Sequence, residues 1–223
     1  IPVIDGNDHF VGVIRGQNIL GALRDTLATE MLTMVGVSKE ERALSSSWFA
    51  VKKRLPWLQI NLLTAFLAAA VVGMFEATIA KYTALAILLP IAAGQSGNTG
   101  AQSLAVTMRG LTLREITVRH WPRVLRKEAG AALVNGIAIA ITCGAGVYFW
   151  SRSTGLALII ALAMISSMTI AAVSGALVPI VLKKLGQDPA LSSSIILTTV
   201  TDIAGFMSFL GIATLLSSMP EAG

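Results

Sequence analysis

Long stretches without a charged residue are the feature that most limits how this chain can fold. Four of them cover residues 55–75, 82–108, 129–151 and 153–182. A fifth, 189–220, contains one charge, Asp202. Each stretch meets the roughly 20 residues that a helix needs to cross a hydrocarbon core of about 30 Å. We therefore predict an all-α membrane protein with five transmembrane helices.

The composition excludes an ordinary soluble domain. Only 13% of residues are charged and 54% are hydrophobic, whereas a soluble domain has about 25% charged residues. The net charge of +5 is concentrated at the ends of the predicted spans, in segments 52–54, 109–127 and 183–184. The positive-inside rule then places the N-terminus in the cytoplasm and the C-terminus outside a cell membrane. Basic segments so placed serve topology in a lipid bilayer, and we expect no nucleic-acid partner.

The first 54 residues are of a different kind. Two β-rich runs, 1–4 and 11–14, flank turn-forming residues, and a helical pattern starts near Gln17 with Ile19, Leu20, Leu23 and Leu27 on one face. The pattern resembles the closing strand, turn, strand and helix of a CBS domain, although an amphipathic linker with two chance β-rich runs stays an alternative. We expect three parts: a truncated CBS tail (1–24), a cytosolic connecting helix (25–54) and the membrane domain (55–223). Because the first residue is Ile1, we also expect a longer parent protein.

One carboxylate stands where a charge is expensive. Asp202 lies about midway along the fifth span, where an ionised Asp costs roughly 2.5 to 3.5 kcal/mol on insertion scales. Thr198 and Ser194 precede it at four-residue spacing and share its helical face, with Thr199 and Thr201 beside them. No Lys or Arg inside another span could neutralise it. A buried packing role is the alternative, but a cation from solution is the natural counterion.

A polar segment interrupts the second span. After Pro90 come glycines at 94, 97 and 100, and the segment also holds Gln95, Ser96, Asn98, Thr99, Gln102, Ser103 and Thr107. Such side chains need water, a cavity or another helix rather than lipid. The glycines make a break in the helix plausible, which would expose carbonyl oxygens as ligands. We predict that Gly94, Gly97, Asn98 and Gln102 line a pore together with Thr199 and Thr201.

The available ligands favour a hard cation. The spans offer oxygen atoms and no histidine, while zinc prefers thiolate or imidazole. Magnesium gives up its waters reluctantly and can be held with most of them in place by few protein oxygens. We predict Asp202, Thr198 and Ser194 as its ligands. Since one chain supplies one such carboxylate, we predict a symmetric homodimer, in which two copies of Asp202 would bind one ion.

Three motifs carry a family resemblance. They are Gly-Asn-Thr-Gly-Ala-Gln-Ser at 97–103, Leu-Lys-Lys-Leu-Gly-Gln-Asp-Pro-Ala at 182–190, and Thr-Thr-Val-Thr-Asp-Ile-Ala-Gly at 198–205. With these three motifs in this order, the sequence resembles the MgtE family of magnesium channels or transporters over essentially its whole length. The resemblance implies a homodimer with one pore on its axis, lined mainly by the second and fifth spans. It also implies that Asp202 is the pore aspartate that binds hydrated Mg²⁺.

Two other functions stay open at this point. A sodium-coupled or proton-coupled exchanger could use a lone Asp for alternating ions, and Co²⁺, Ni²⁺ and Mn²⁺ are further candidate substrates. An intramembrane hydrolase is the enzyme alternative. An aspartyl protease needs two carboxylates sharing a proton, and a serine enzyme needs a base near its nucleophile. The spans provide neither, so we predict that the chain is not an enzyme.

Overall fold

The chain forms two compact units, Ile1–Pro56 and Trp57–Gly223. A computed structural model describes residues 2–7, 9–13, 15–18, 21, 29 and 32–217, with backbone alone for 190–193 and 217. The predicted helical face of Ile19, Leu20, Leu23 and Leu27 lies outside the described residues, as does the boundary between the first two predicted parts.

The first unit begins with a β-hairpin. Strands β1 (Pro2–Ile4) and β2 (Phe10–Val13) pair antiparallel, with an irregularity between Val3 and Ile4. The carboxylate of Asp5 accepts hydrogen bonds from the backbone N–H groups of Asn7 at 2.8 Å and His9 at 2.9 Å. Those two bonds hold the turn and lower the pKa of Asp5. The two predicted β-rich runs therefore do form strands.

The segment before the first long helix differs from the expected connecting helix. Residues 32–34 are helical, but 35–46 form turns. Gly36 adopts a left-handed φ of 77°, and the N–H of Val37 bonds back to the carbonyl of Leu32, which ends the helical turn. Ser46 then caps the next helix by accepting from the N–H of Phe49 at 3.3 Å. A glycine in this conformation is the physical reason that a continuous helix does not form here.

Five long helices and one short helix follow. Their bounds are Ser47–Gly73 (α1), Glu76–Lys81 (α2), Ala84–Thr112 (α3), Trp121–Ser151 (α4), Thr154–Lys184 (α5) and Pro189–Ser217 (α6), with a 3-10 turn at Val118–His120. Residues 47–217 are thus almost entirely helical, as predicted.

Sharp ends keep the long helices separate. The side chain of Ser153 accepts from the N–H of Leu156 at the start of α5, and Arg152 takes a left-handed φ of 57° at the end of α4. Gly186, with φ 74°, ends α5, and Pro189 opens α6. These short connections place α4, α5 and α6 side by side in antiparallel succession.

Helix α5 is the centre of the second unit, because α3, α4 and α6 all pack on it. The shared core is made of apolar side chains that are at most 7% exposed: Leu85, Leu88 and Ala92 from α3, Ala140 and Val147 from α4, Ile159, Ile160, Ala163 and Met164 from α5, and Phe209, Leu210 and Ala213 from α6. By contrast, α1 buries only Ala68.

Four of the long helices are both long and apolar enough to cross a membrane. They are α1, α4 with its preceding 3-10 turn, α5 and α6. Helix α3, with 29 residues, has the length but is not among these four apolar helices of the described part of the chain. Its polar segment explains the difference. The protein is therefore a helical membrane protein, while the second of the five predicted spans stays a prediction.

Candidate ion-binding site

Helices α3, α5 and α6 meet at a close crossing near their midpoints. A Cβ atom on Gly100 of α3 would lie 2.9 Å from a methyl group of Thr201 and 3.3 Å from the carbonyl oxygen of Ala171. A Cβ atom on Gly175 of α5 would overlap the carbonyl oxygen of Gly100. Only glycine allows the backbones to approach so closely, which is how helices associate in a membrane.

Two buried serines of α3 bind the neighbouring helices. The Ser103 hydroxyl donates to the carbonyl of Ala172 on α5 at 2.7 Å. The Ser96 hydroxyl donates to the carbonyl of Ala93 in its own helix at 3.0 Å and lies 3.3 Å from the carbonyl of Thr201 on α6. These contacts satisfy polar groups that would otherwise be costly in an apolar environment. They also fix α3 and α6 at a common depth.

Asp202 follows this crossing directly along α6. Its side chain is half-buried. Ile195 and Phe209, seven residues before and after it, are 8% and 0% exposed, whereas Thr198, four residues before it, is exposed. Asp202 therefore lies at the border between the packed and the uncovered faces of α6. In the described part of the chain, Asp202 has no hydrogen-bond or ion-pair partner. A carboxylate in this position requires a counterion or water.

The hydroxyls near Asp202 present acceptors. Thr198 and Thr199 both donate to the carbonyl of Ile195, at 3.0 Å and 2.7 Å. A hydroxyl whose proton is used within its own helix keeps its lone pairs for other donors, such as the waters of a hydrated ion. Thr198 is exposed, and Ser194 and Thr199 are half-buried. All three side chains are at least partly accessible.

Thr201 does not lie beside these accessible hydroxyls. It is 1% exposed, contacts Gly100, and donates its hydroxyl proton to the carbonyl of Thr198 at 3.0 Å. Its place in the sequence beside Asp202 suggested a pore-lining residue. In the structure it packs between α3 and α6, because adjacent residues on a helix point about 100° apart.

The outer face of α3 is polar. Gly94, Asn98 and Gln102 are exposed at four-residue spacing, and Gly97 is half-exposed beside them. Asn98 lies between Ser96 and Gly100, so it stands at about the depth of Asp202. The expected break is absent, since α3 is helical throughout 84–112. The packing of Gly100 on α5 and α6 holds the glycine-rich stretch in a regular helix.

A metal site made by several acidic, histidine or cysteine side chains is absent from the residues that the structure describes. Among the described residues, Asp202 is thus the one charged ligand that a single chain offers at this depth. The arrangement fits an ion that keeps its own waters better than one that exchanges them for protein ligands.

Gly175 is a residue of this crossing that none of the sequence motifs includes. The signal was present as a run of small residues at 171, 172, 175 and 176, the spacing that lets membrane helices approach. Nothing in the sequence says which partner such a run meets, so the contact with Gly100 needed the structure.

The class of protein follows from comparison with known families. Residues 89–212, which include α6 as far as Ile212 and nearly all of α3, match the family model of MgtE, described as a divalent cation transporter. This match covers more than half of the chain, and the chain belongs to the MgtE family. The resemblance inferred from the three motifs is confirmed, and the family is one of transporters rather than enzymes.

Individual relatives agree with this family assignment. The chain is similar to proteins named magnesium transporter MgtE from Enterococcus faecalis (30% identity over 96% of this chain and 47% of the relative), Bacillus subtilis (28%, 96% and 48%) and Thermus thermophilus (30%, 97% and 48%). The chain spans about half the length of these curated relatives.

Proposed function

We propose that this chain forms the membrane part of a magnesium channel or transporter in which Asp202 binds the passing ion. The observation that carries the proposal is a half-buried carboxylate, midway along an apolar helix, that has no protein partner among the described residues. The chain belongs to a family of divalent cation transporters. The names of the relatives support Mg²⁺ as the ion. Ser194 and Thr198 complete the ion site through hydroxyl oxygens that can accept from bound waters.

The working unit is a homodimer with the pore on its axis. In a single chain the polar outer face of α3 has no cover, and a face of Asn98 and Gln102 is unsuited to lipid. A second copy related by a two-fold axis would oppose the same faces of α3 and α6 and bring two Asp202 carboxylates near one ion. Gly94, Gly97 and Thr199 then belong to the pore wall as well.

Three further parts of the proposal concern the rest of the chain. Residues 1–24 form the tail of a CBS domain, and the β1–β2 hairpin supports this assignment. Residues 25–54 connect it to the membrane domain, 55–223. The basic residues at 52–54, 109–127 and 183–184 place the N-terminus in the cytoplasm, and five spans then place the C-terminus outside.

Transport into liposomes tests the function. With the chain reconstituted, Mg²⁺ uptake followed by an enclosed fluorescent indicator should depend on the Mg²⁺ gradient alone. Imposed Na⁺ or pH gradients should change the rate little, because the site has one carboxylate per chain and no second ionisable group among the described residues nearby. Uptake that requires either gradient would favour the coupled exchanger. Liposomes without protein provide the baseline.

Hydration of the ion is tested by a mimic that cannot shed its ligands. Cobalt hexammine has the size of a hydrated divalent ion, and its ammine hydrogens can donate to Asp202 and Thr198 as waters would. It should therefore inhibit Mg²⁺ uptake in the same liposomes. If it has no effect at concentrations where Co²⁺ or Mn²⁺ competes, the ion sheds water at Asp202 and the hydrated-ion mechanism is wrong.

A further inference from the structure

The connection between α3 and α4 is a well-fixed loop at one end of the helices. The N–H of Ile116 bonds to the carbonyl of Gly110 at 3.1 Å, and the Ile116 side chain covers Gly110 so closely that a Cβ there would lie 3.1 Å away. The N–H of Thr117 donates to the ring nitrogen of His120 at 3.1 Å. Arg114 adopts a left-handed φ of 56°. These restraints give the loop a defined shape rather than a variable one.

A cavity of about 620 Å³ lies between this loop, the 3-10 turn and the end of α5. Its walls combine two chemical types: the cations Arg114, Arg119 and Lys183, and the apolar side chains Leu111, Ile116 and Val118. A cavity that is basic on one part and apolar on the other matches an amphiphile that carries a negative headgroup.

The three cations lack carboxylate partners in the part of the chain that the structure describes. Lys183 donates to the carbonyl of Leu111 at 3.3 Å, which uses one of its three N–H groups. The nearest acidic residue in sequence, Glu115, lines a different cavity and lies 4.0 Å from Arg109. Three exposed positive charges thus line one concavity without a carboxylate partner among the described residues, so an anion bound there would gain favourable Coulomb energy from all of them.

We propose that this cavity binds the phosphate headgroup of an anionic phospholipid, with the apolar wall contacting the first part of an acyl chain. The cavity lies where α3 and α5 end. Since α5 is long and apolar enough to cross a membrane, its end is expected near the lipid headgroups. Basic pockets between transmembrane helices bind such headgroups, and arginine matches phosphate in geometry as well as charge. The inference goes beyond ion transport, since it depends on the membrane location of the chain and not on the ion.

Lipid titration followed by native mass spectrometry tests this proposal on the whole chain. Phosphatidylglycerol should bind the unsubstituted protein, whereas zwitterionic phosphatidylcholine and inorganic phosphate should bind far more weakly. The double variant Arg119→Gln/Lys183→Gln should lose roughly 30-fold in affinity for phosphatidylglycerol. The matched control Arg126→Gln/Lys184→Gln removes the same charge from the same end of the helices outside the cavity, and it should keep most of the affinity.

Three results would overturn the proposal: equal losses in the two double variants, which would mean diffuse attraction; no loss in either; or binding of inorganic phosphate as tight as that of the lipid. If Arg119→Gln/Lys183→Gln fails to fold, because the bond from Lys183 to Leu111 is lost, Arg114→Gln/Arg119→Gln keeps that bond and tests the same cavity. Helicity by circular dichroism separates folding from binding.

Discussion

Replacing Asp202 with alanine is expected to abolish most Mg²⁺ uptake by reconstituted protein while leaving the fold intact. A dimer would lose both fixed charges of its ion site, and a loss of only about 1.4 kcal/mol in ion affinity already corresponds to tenfold. We therefore expect a decrease of about tenfold or more. Asp202→Asn should retain more uptake than Asp202→Ala, because the amide keeps an oxygen that can accept from hydration waters.

The matched control is Glu76→Ala, which removes an exposed carboxylate from α2. The Glu76→Ala protein should take up Mg²⁺ at the same rate as the unsubstituted protein. On the polar face of α3, Asn98→Leu and Gln102→Leu should impair uptake more than Asn61→Leu and Gln59→Leu, which alter equally exposed amides of α1. If the Asp202→Ala protein takes up Mg²⁺ as fast as the unsubstituted protein, Asp202 is not on the ion path and the proposed site is wrong.

The second large effect is on stability. Gly175→Ala places a methyl group against the carbonyl oxygen of Gly100, and the two backbones must separate to admit it. Overpacking of this kind typically costs about 1 to 3 kcal/mol. The free energy of unfolding in detergent should fall by that amount, and the shift should be visible as a lower thermal midpoint. Because α3 and α6 share this crossing, uptake should fall as well.

Gly146→Ala on α4 is the control for the intrinsic effect of the substitution. No atom beyond the local backbone of α4 lies within 4 Å of the added Cβ, and alanine is favoured over glycine within a helix by about 1 kcal/mol. The two variants should therefore shift the thermal midpoint in opposite directions. A Gly175→Ala protein as stable as the parent would mean that the close crossing of α3 and α5 is not present in the folded protein.

Charge-free stretches in the sequence locate the long helices well but underestimate their length. Helix α4 begins at Trp121, whereas its charge-free stretch begins at 129. The additional turns contain Arg123, Arg126 and Lys127, which suit a helix end beyond the hydrocarbon core. The absence of charge marks the part of a helix that lipid requires to be apolar, and it carries no information about where the helix stops.

The contacts at the candidate site were harder to foresee. The glycines after Pro90 suggested a broken helix, because isolated propensity disfavours glycine in a helix. Their actual role depends on Gly175, which lies in a different helix, and no local pattern identifies such a pair. Asp202 could be identified from the sequence because placing a carboxylate within an apolar span costs free energy, which indicates a functional role. The burial of Thr201 could not, since it depends on where α3 crosses.

The unbroken helix of α3 has a kinetic consequence. Its carbonyl oxygens stay within the helical hydrogen-bond ladder through the whole glycine-rich stretch, so on the proposed ion path this stretch would offer no unwound backbone to replace one of the ion's waters. Magnesium exchanges its inner waters reluctantly. In the mechanism proposed above, a path without an obligatory exchange step would free conduction from that slow chemistry, and the transit time would be set by how fast the whole hydrated cluster diffuses past Asp202.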